Sequence, residues 1–178
     1  MDRDELIDTL NELIETCKDG EEGFRTCAED VQRADLKPRM ERAAKRCAKA
    51  ARELQTKVQL LGGIAEKKGS FVGSAHRRWV DIKAAITGKD DAAVIAECER
   101  GEDVAKENYR NALAKDLPPD VRAVVERQYQ GVLQHHDTVR DLEISTKAEK
   151  SGKPARAPRT QFGLRATRRK GYKSESSS

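Results

Sequence analysis

Two pairs of long helical patterns are separated by residues 62–88, GGIAEKKGSFVGSAHRRWVDIKAAITG. An up-and-down bundle would need a short loop at this point, whereas this connection is about 27 residues long. A short, serine-capped helix is expected over 71–87, where it would carry His76 and Trp79. The order of elements predicts an all-α protein, a ferritin-like antiparallel four-helix bundle with a short crossover helix.

Apolar residues recur every three or four positions on both sides of this connection, which is the periodicity of amphipathic helices. The predicted helices span about residues 3–33, 38–61, 92–114 and 119–146. Two short turns, RADLKP and LPPD, join the first helix to the second and the third to the fourth. Each pair therefore forms an antiparallel hairpin.

The composition supports helices, and the charge divides the chain in two. Aromatic residues make up 4% of the 178 residues and the formal net charge is +4. Residues 147–178 contain ten basic and two acidic side chains, so the remaining residues carry a net negative charge. This segment is rich in Gly, Pro and Ser and has no apolar periodicity, which predicts a disordered tail. The predicted domains are a bundle over 1–146 and a basic tail over 147–178.

The basic tail favours a polyanionic partner. Nucleic acid is one candidate, through phosphate neutralisation, and an acidic partner or an anionic membrane surface is another. The tail could also serve only to solubilise the protein. The residues expected to contact a polyanion are Arg165, Arg168, Arg169, Lys170 and Lys173.

The chain contains no targeting or membrane signal of the usual kinds. No run of about 18 apolar residues occurs, so no membrane span is predicted. The first residues, MDRDELIDTL, are acidic where a signal peptide has a basic start. The expected location is the cytoplasm, and assembly as a homo-oligomer is left open.

Polar residues interrupt three of the apolar stripes at mid-height. The spacing places Glu21, Glu102 and Gln128 inward, together with either His135 or His136. A buried carboxylate is costly unless it is paired, protonated or bound to a cation, so Glu102 or its neighbour Glu99 is expected to meet a histidine of the fourth helix. Glycines at the same height predict either close helix approach or a roomy polar pocket. These are Gly20, Gly23, Gly101 and Gly131.

No motif identifies a reaction, and the sequence leaves open whether the chain is an enzyme. Phosphate loops, nucleophile elbows and dinucleotide-binding fingerprints are absent. The cysteines include no CxxC pair and lie on apolar stripes, which is typical of small buried hydrophobic residues in a reducing compartment. They are Cys17, Cys27, Cys47 and Cys98.

Four stretches in a fixed order carry a family resemblance. They are DELIDTLNELIETCKDGEEGFRTCAEDV, GSFVGSAHRRW, AAITGKDDAAVIAECERGED and YRNALAKDLPPDVRAVVERQYQGVLQHHDTVRDL. Residues 4–144 thereby resemble a bacterial family of ferritin-like four-helix-bundle proteins catalogued as domain of unknown function 2383. The resemblance implies the same fold, implies no specific activity, and does not extend over the tail.

Ferritin-like di-iron proteins bind metal through a Glu on each of two helices and a Glu-x-x-His on each of the other two. Glu21 matches the first Glu in kind and approximate place, and either Glu102 or Glu99 could match the Glu of the third helix. Thr56 stands where a histidine would follow Glu53, and no Glu lies three residues before either histidine of the fourth helix. A standard di-iron site is therefore not expected.

A mononuclear or altered iron or manganese site is predicted instead, with a metal- or oxidant-related role in general stress. Its predicted ligands are Glu21, Glu99, Glu102 and His136, with Glu53 and His76 as outer candidates. His76 would otherwise hydrogen-bond a neighbouring helix while Trp79 seals the core. The alternative is a non-catalytic structural or binding module whose tail contacts nucleic acid or another polyanion.

Overall fold

The computed structural model describes residues 1–65, 88 and 90–150, with side chains as far as residue 146. In these ranges the chain forms four α-helices and no strand. They are α1 (Arg3–Asp30), α2 (Lys37–Leu60), α3 (Asp91–Ala114) and α4 (Pro119–Lys150). The crossover helix expected over 71–87, and the basic segment from residue 151 onward, lie outside the described residues.

The helices begin where an aspartate side chain accepts a hydrogen bond from a free backbone N–H group of the first turn, or where proline, which has no N–H group, occupies that turn. The Asp2 carboxylate accepts the backbone N–H of Glu5 at 2.8 Å, and the Asp90 carboxylate accepts that of Ala93 at 3.1 Å. Pro38 lies in the first turn of α2. The predicted helices are thus confirmed, although α1 ends before residue 33 and α4 continues past residue 146. None of the described helices is both long and apolar enough to cross a bilayer.

The packing follows the two hairpins. α1 packs mainly on α2 and α3 mainly on α4; α1 also packs on α3, and α2 makes few close contacts with α4. The Asp91 carboxylate accepts the backbone N–H groups of Gln32 and Arg33 at 2.6 and 3.1 Å, which ties the α1–α2 turn to the start of α3. The second hairpin is therefore held to the first by hydrogen bonds as well as by apolar packing.

The apolar interior consists of two clusters rather than one. The first contains Leu10, Ile14 and Leu54, and the second contains Met40 and Ile95 at the other end of the bundle. All of these side chains are almost completely buried. Between the two clusters, at mid-height, small and polar residues replace the large apolar ones, and this is where the interior is not filled.

Candidate functional site

A cavity of about 300 Å³ lies between the two apolar clusters, and all four helices line it. Glycines make room for it. A Cβ atom added at Gly101 or Gly131 would meet no heavy atom within 4 Å, whereas one at Gly20 would lie 3.1 Å from Cys47 Sγ. Both sequence interpretations of these glycines therefore apply. Gly20 permits close approach of α1 to α2, and the half-buried Gly131 leaves open space at the cavity, whereas Gly101 is exposed.

All four cysteines of the chain line this cavity, and all four are free thiols. Burial raises the pKa of Cys17 to about 11, although a hydrogen bond with Tyr109 opposes the shift. Burial also raises the pKa of Cys47. Since the thiolate is the nucleophilic form, these two thiols are poor nucleophiles near neutral pH. They contribute a neutral, polarisable wall.

A largely buried polar contact on the cavity wall joins Glu102 of α3 to His135 of α4. His135 Nδ1 and Glu102 Oε1 are hydrogen-bonded, and their side chains are 11% and 6% exposed. The His135 ring also meets Phe24 edge to face, with centroids 5.1 Å apart. The expected meeting of a third-helix glutamate with a fourth-helix histidine is found here, and it satisfies a carboxylate that would otherwise be costly to bury.

A second set of polar side chains forms a hydrogen-bond network that extends from the core to the rim of the cavity. The Tyr109 hydroxyl donates to Gln128 Oε1 at 2.8 Å, and Gln128 Nε2 donates to Glu53 Oε2 at 2.8 Å. Burial raises the pKa of Tyr109, so its hydroxyl remains protonated. Burial alone would raise the pKa of Glu53, but hydrogen bonds from Arg127 and Gln128 outweigh it and lower that pKa. The network thus links a neutral phenol in the core to an ionised carboxylate at the edge.

Tyr109 is the site residue that sequence reasoning missed. Its place on the apolar stripe of α3 indicated burial, and the structure leaves it 1% exposed. A buried tyrosine hydroxyl usually finds a hydrogen-bond partner, so the inward Gln128 was the available signal. Tyr109 and Gln128 belong to one hydrogen-bond network.

Two of the predicted ligands lie on the seam between α3 and α4 and do not line the cavity. His136 Nε2 is 3.0 Å from Asp103 Oδ1, and a hydrogen bond from Lys106 lowers the pKa of Asp103. Glu99 is hydrogen-bonded to Glu143, and this contact raises the pKa of Glu99 because the two carboxyls share a proton. The histidine at the cavity is therefore His135 and not His136.

Glu21 does not reach the cavity either. Its Oε1 atom is 2.6 Å from Nη2 of Arg25, one turn further along α1, and its side chain is 26% exposed. The arginine that holds it is more than half exposed. The inward position expected for Glu21 is therefore not found, because a local ion pair with solvent access satisfies the carboxylate instead.

The side chains do not fit the metal pattern of di-iron ferritin-like proteins. Across residues 1–65 and 90–146, no group of three or more His, Cys, Asp or Glu side chains is arranged to hold a metal ion. Glu102 and His135 form a pair, and Glu53 is engaged with Arg127 and Gln128. His76 and the five basic residues predicted to contact a polyanion lie outside the described residues.

Comparisons with known proteins agree with this fold. A family model described as "Domain of unknown function (DUF2383)" matches residues 5–115. The crystal structure of a two-domain protein from Anabaena variabilis ATCC 29413, with DJ-1/ThiJ/PfpI-like and ferritin-like domains, is similar with a TM-score of 0.68 at 16% identity. The similarity covers 92% of this chain and 44% of that chain, so this chain spans less than half of that protein. No curated protein matches. At this identity the likeness shows a ferritin-like fold alone.

Proposed function

Because the chain belongs to the DUF2383 family and has a ferritin-like fold, we propose from its own geometry that it binds a small, largely apolar molecule in the mid-bundle cavity. Ligand sites in helical bundles are built from side chains on facing helices, and this cavity has contributions from all four. Its volume of about 300 Å³ is at the lower end of the range for small-molecule sites.

The main support for the proposal is that open space inside the bundle is kept by a glycine in a helix interior, which lowers the stability of that helix. Each glycine in a helix interior costs about 0.5–1 kcal/mol relative to alanine. At the half-buried Gly131, no neighbouring atom would obstruct an alanine methyl group, so close packing does not explain this glycine. A requirement for room inside the bundle does explain it.

The polar groups of the cavity wall would fix the orientation of the bound ligand. Small-molecule sites are mostly apolar with a few fixed polar groups that orient the ligand. Here the Glu102–His135 pair stands beside the ring of Phe24, and Tyr109 with Gln128 stands on the same wall. A ligand with a flat apolar body and one hydrogen-bonding group matches this arrangement.

Indole is a suitable probe, since it has an apolar bicyclic body and one N–H donor. Its binding to the full chain is measured by ligand-observed NMR and calorimetry. Gly131→Leu places a side chain into the cavity and is expected to abolish binding. Ala123→Leu puts a side chain of the same final size on the exposed face of the same helix and is expected to leave binding unchanged. Equal binding by both variants, or none by the unaltered chain, contradicts the proposal.

The predicted iron or manganese site and its stress role remain predictions. Of the predicted ligands, Glu102 is at the cavity, whereas Glu21, Glu99 and His136 are engaged elsewhere. Metal analysis after anaerobic reconstitution tests them, with Glu102→Gln as the variant. Stoichiometric iron or manganese that is lost in the variant would support the metal site, and substoichiometric metal in the unaltered chain would contradict it.

The basic tail supports a second prediction of a different class, the binding of nucleic acid or another polyanion. The chain and a truncation ending at Lys150, the last residue of α4, are compared for DNA binding across salt concentrations. Phosphate neutralisation predicts binding that weakens steeply with salt and disappears on truncation. Equal binding by both forms would exclude a role for the tail.

A further inference from the structure

Three sulfur atoms from three different helices meet beside one end of the cavity. The Cys98 thiol of α3 donates to Met40 Sδ of α2 at 3.6 Å, and it is also hydrogen-bonded to the Cys27 thiol of α1. All three side chains are at most 4% exposed. Cys27 and Cys98 line the cavity, so an ion inside it can reach both thiols.

We propose that Cys27, Cys98 and Met40 form a binding site for Cu(I). Thiolate and thioether sulfurs are soft ligands that select Cu(I), whereas oxygen ligands suit harder cations such as manganese. A two-thiolate, one-thioether set has the right chemistry for a soft monovalent ion in low coordination. The site adjoins the cavity of the proposed apolar ligand, with Cys27 and Cys98 on the cavity wall and Met40 behind it, and does not depend on that ligand.

The binding step releases protons and involves no change of oxidation state. A thiol becomes a metal ligand only after it loses its proton. Cu(I) displaces one proton from Cys27 and one from Cys98, forms two copper–thiolate bonds, and accepts a lone pair from Met40. Both protons leave to solvent, as is usual when thiols become metal ligands.

The other two cysteines of the cavity, Cys17 and Cys47, are not part of this sulfur site. Cys17 is hydrogen-bonded to Tyr109 at 3.1 Å and belongs to the other apolar cluster. Cys47 lies beside Gly20. Neither makes a sulfur–sulfur hydrogen bond in the described structure, which makes the Cys17→Ala protein the matched control for substitutions at the sulfur site.

The experiment titrates the reduced full-length chain with Cu(I) under anaerobic conditions, in competition with a coloured Cu(I) chelator. The expected result is one Cu(I) per chain, two protons released, and a sulfur-only shell in X-ray absorption. The Cys27→Ala/Cys98→Ala protein is expected to lose the ion, and the Cys17→Ala protein to keep it. Met40→Leu, which conserves volume, is expected to weaken binding at least about tenfold, as ligand-shell changes commonly do.

Several results would overturn the proposal. They are an absence of bound copper, unchanged affinity in Cys27→Ala/Cys98→Ala or in Met40→Leu, and a nitrogen or oxygen shell. Met40→Leu keeps the test decisive if the double-alanine protein does not fold. Indole binding is measured in the same proteins. Because Met40 does not line the cavity, loss of copper without loss of indole separates this site from the proposed apolar ligand.

Discussion

Alanine substitution of Glu102 and His135 tests whether this buried pair holds α3 to α4 at the cavity. Glu102→Ala removes the carboxylate and leaves His135 buried without its partner, which is expected to cost about 1–3 kcal/mol of unfolding free energy. His135→Ala leaves Glu102 unpaired in the same way and also loses the edge contact with Phe24, worth about 0.5–1.5 kcal/mol. The histidine variant should therefore be the less stable of the two.

The double variant determines how much of this loss belongs to the pair itself. Once both partners are gone, no unpaired polar group remains, so the combined loss should be smaller than the sum of the single losses. The expected coupling between Glu102 and His135 is about 1–3 kcal/mol, in the upper part of the range for residues in direct contact. Denaturant unfolding followed by helical circular dichroism gives all four free energies.

The neighbouring pair Asp103–His136 is the matched control. It joins the same two helices one residue further along each, and its atoms are 3.0 Å apart. Its carboxylate is 56% exposed, and exposed pairs contribute about 0.2–1 kcal/mol. If the Glu102–His135 cycle gives no more coupling than this control, burial does not strengthen the cavity pair and the reasoning is refuted.

Three further changes probe the cavity and its surroundings. Gly131→Ala should raise the free energy of unfolding by about 0.5–1 kcal/mol, because the added methyl group meets open space and alanine favours helix. Tyr109→Phe should lower it by about 1–3 kcal/mol, because the buried Gln128 oxygen loses its donor. Glu143→Gln should raise it at neutral pH by about a few tenths of a kcal/mol, because two facing carboxylates no longer repel. Denaturant unfolding measures all three, with a pH series for the last.

The sign of the pH effect follows from the raised pKa of Glu99. In the folded chain the proton shared with Glu143 is held more tightly than in the unfolded chain. Its stabilising contribution is therefore present at acidic pH and is lost as the pH rises through the raised pKa. Glu143→Gln should flatten this decline, and a parallel pH profile for the two proteins would contradict the shared proton.

The other two changes have internal controls. Tyr129 stacks on Tyr109 with ring centroids 6.5 Å apart, and Tyr129→Phe leaves the hydrogen bond to Gln128 in place. It should alter stability by no more than about 0.5 kcal/mol. If Tyr109→Phe and Tyr129→Phe lower the free energy of unfolding by equal amounts, the hydrogen bond from Tyr109 to Gln128 does not stabilise the fold as argued. A Gly131→Ala protein that is less stable than the parent would show that the space at this position is already occupied.

Periodicity predicted the fold because each helix of this bundle buries one face, with apolar residues at both ends of it. The inward positions of Glu102 and Gln128 followed from the same spacing, since both lie in step with apolar neighbours. The choice between His135 and His136 did not follow. Adjacent helix residues differ by about 100° in direction, so a small rotation of α4 decides which histidine meets the cavity. Glu21 was misplaced because the spacing carries no information about Arg25, which draws the carboxylate outward.

The cavity itself depends on distances between helices, which no single stripe contains. Each cysteine is consistent with a small apolar residue on its own helix, and the convergence of all four appears only when the helices are packed. The same packing directs the carboxylates of Glu21 and Glu99 away from the interior. A ferritin-like fold is usually associated with oxygen and nitrogen ligands for iron. In this chain the oxygen and nitrogen groups at the cavity, Glu102, His135 and Glu53, are engaged in hydrogen bonds, and four thiols line the same cavity, so we infer that soft cations and apolar molecules match its chemistry better than hard cations do.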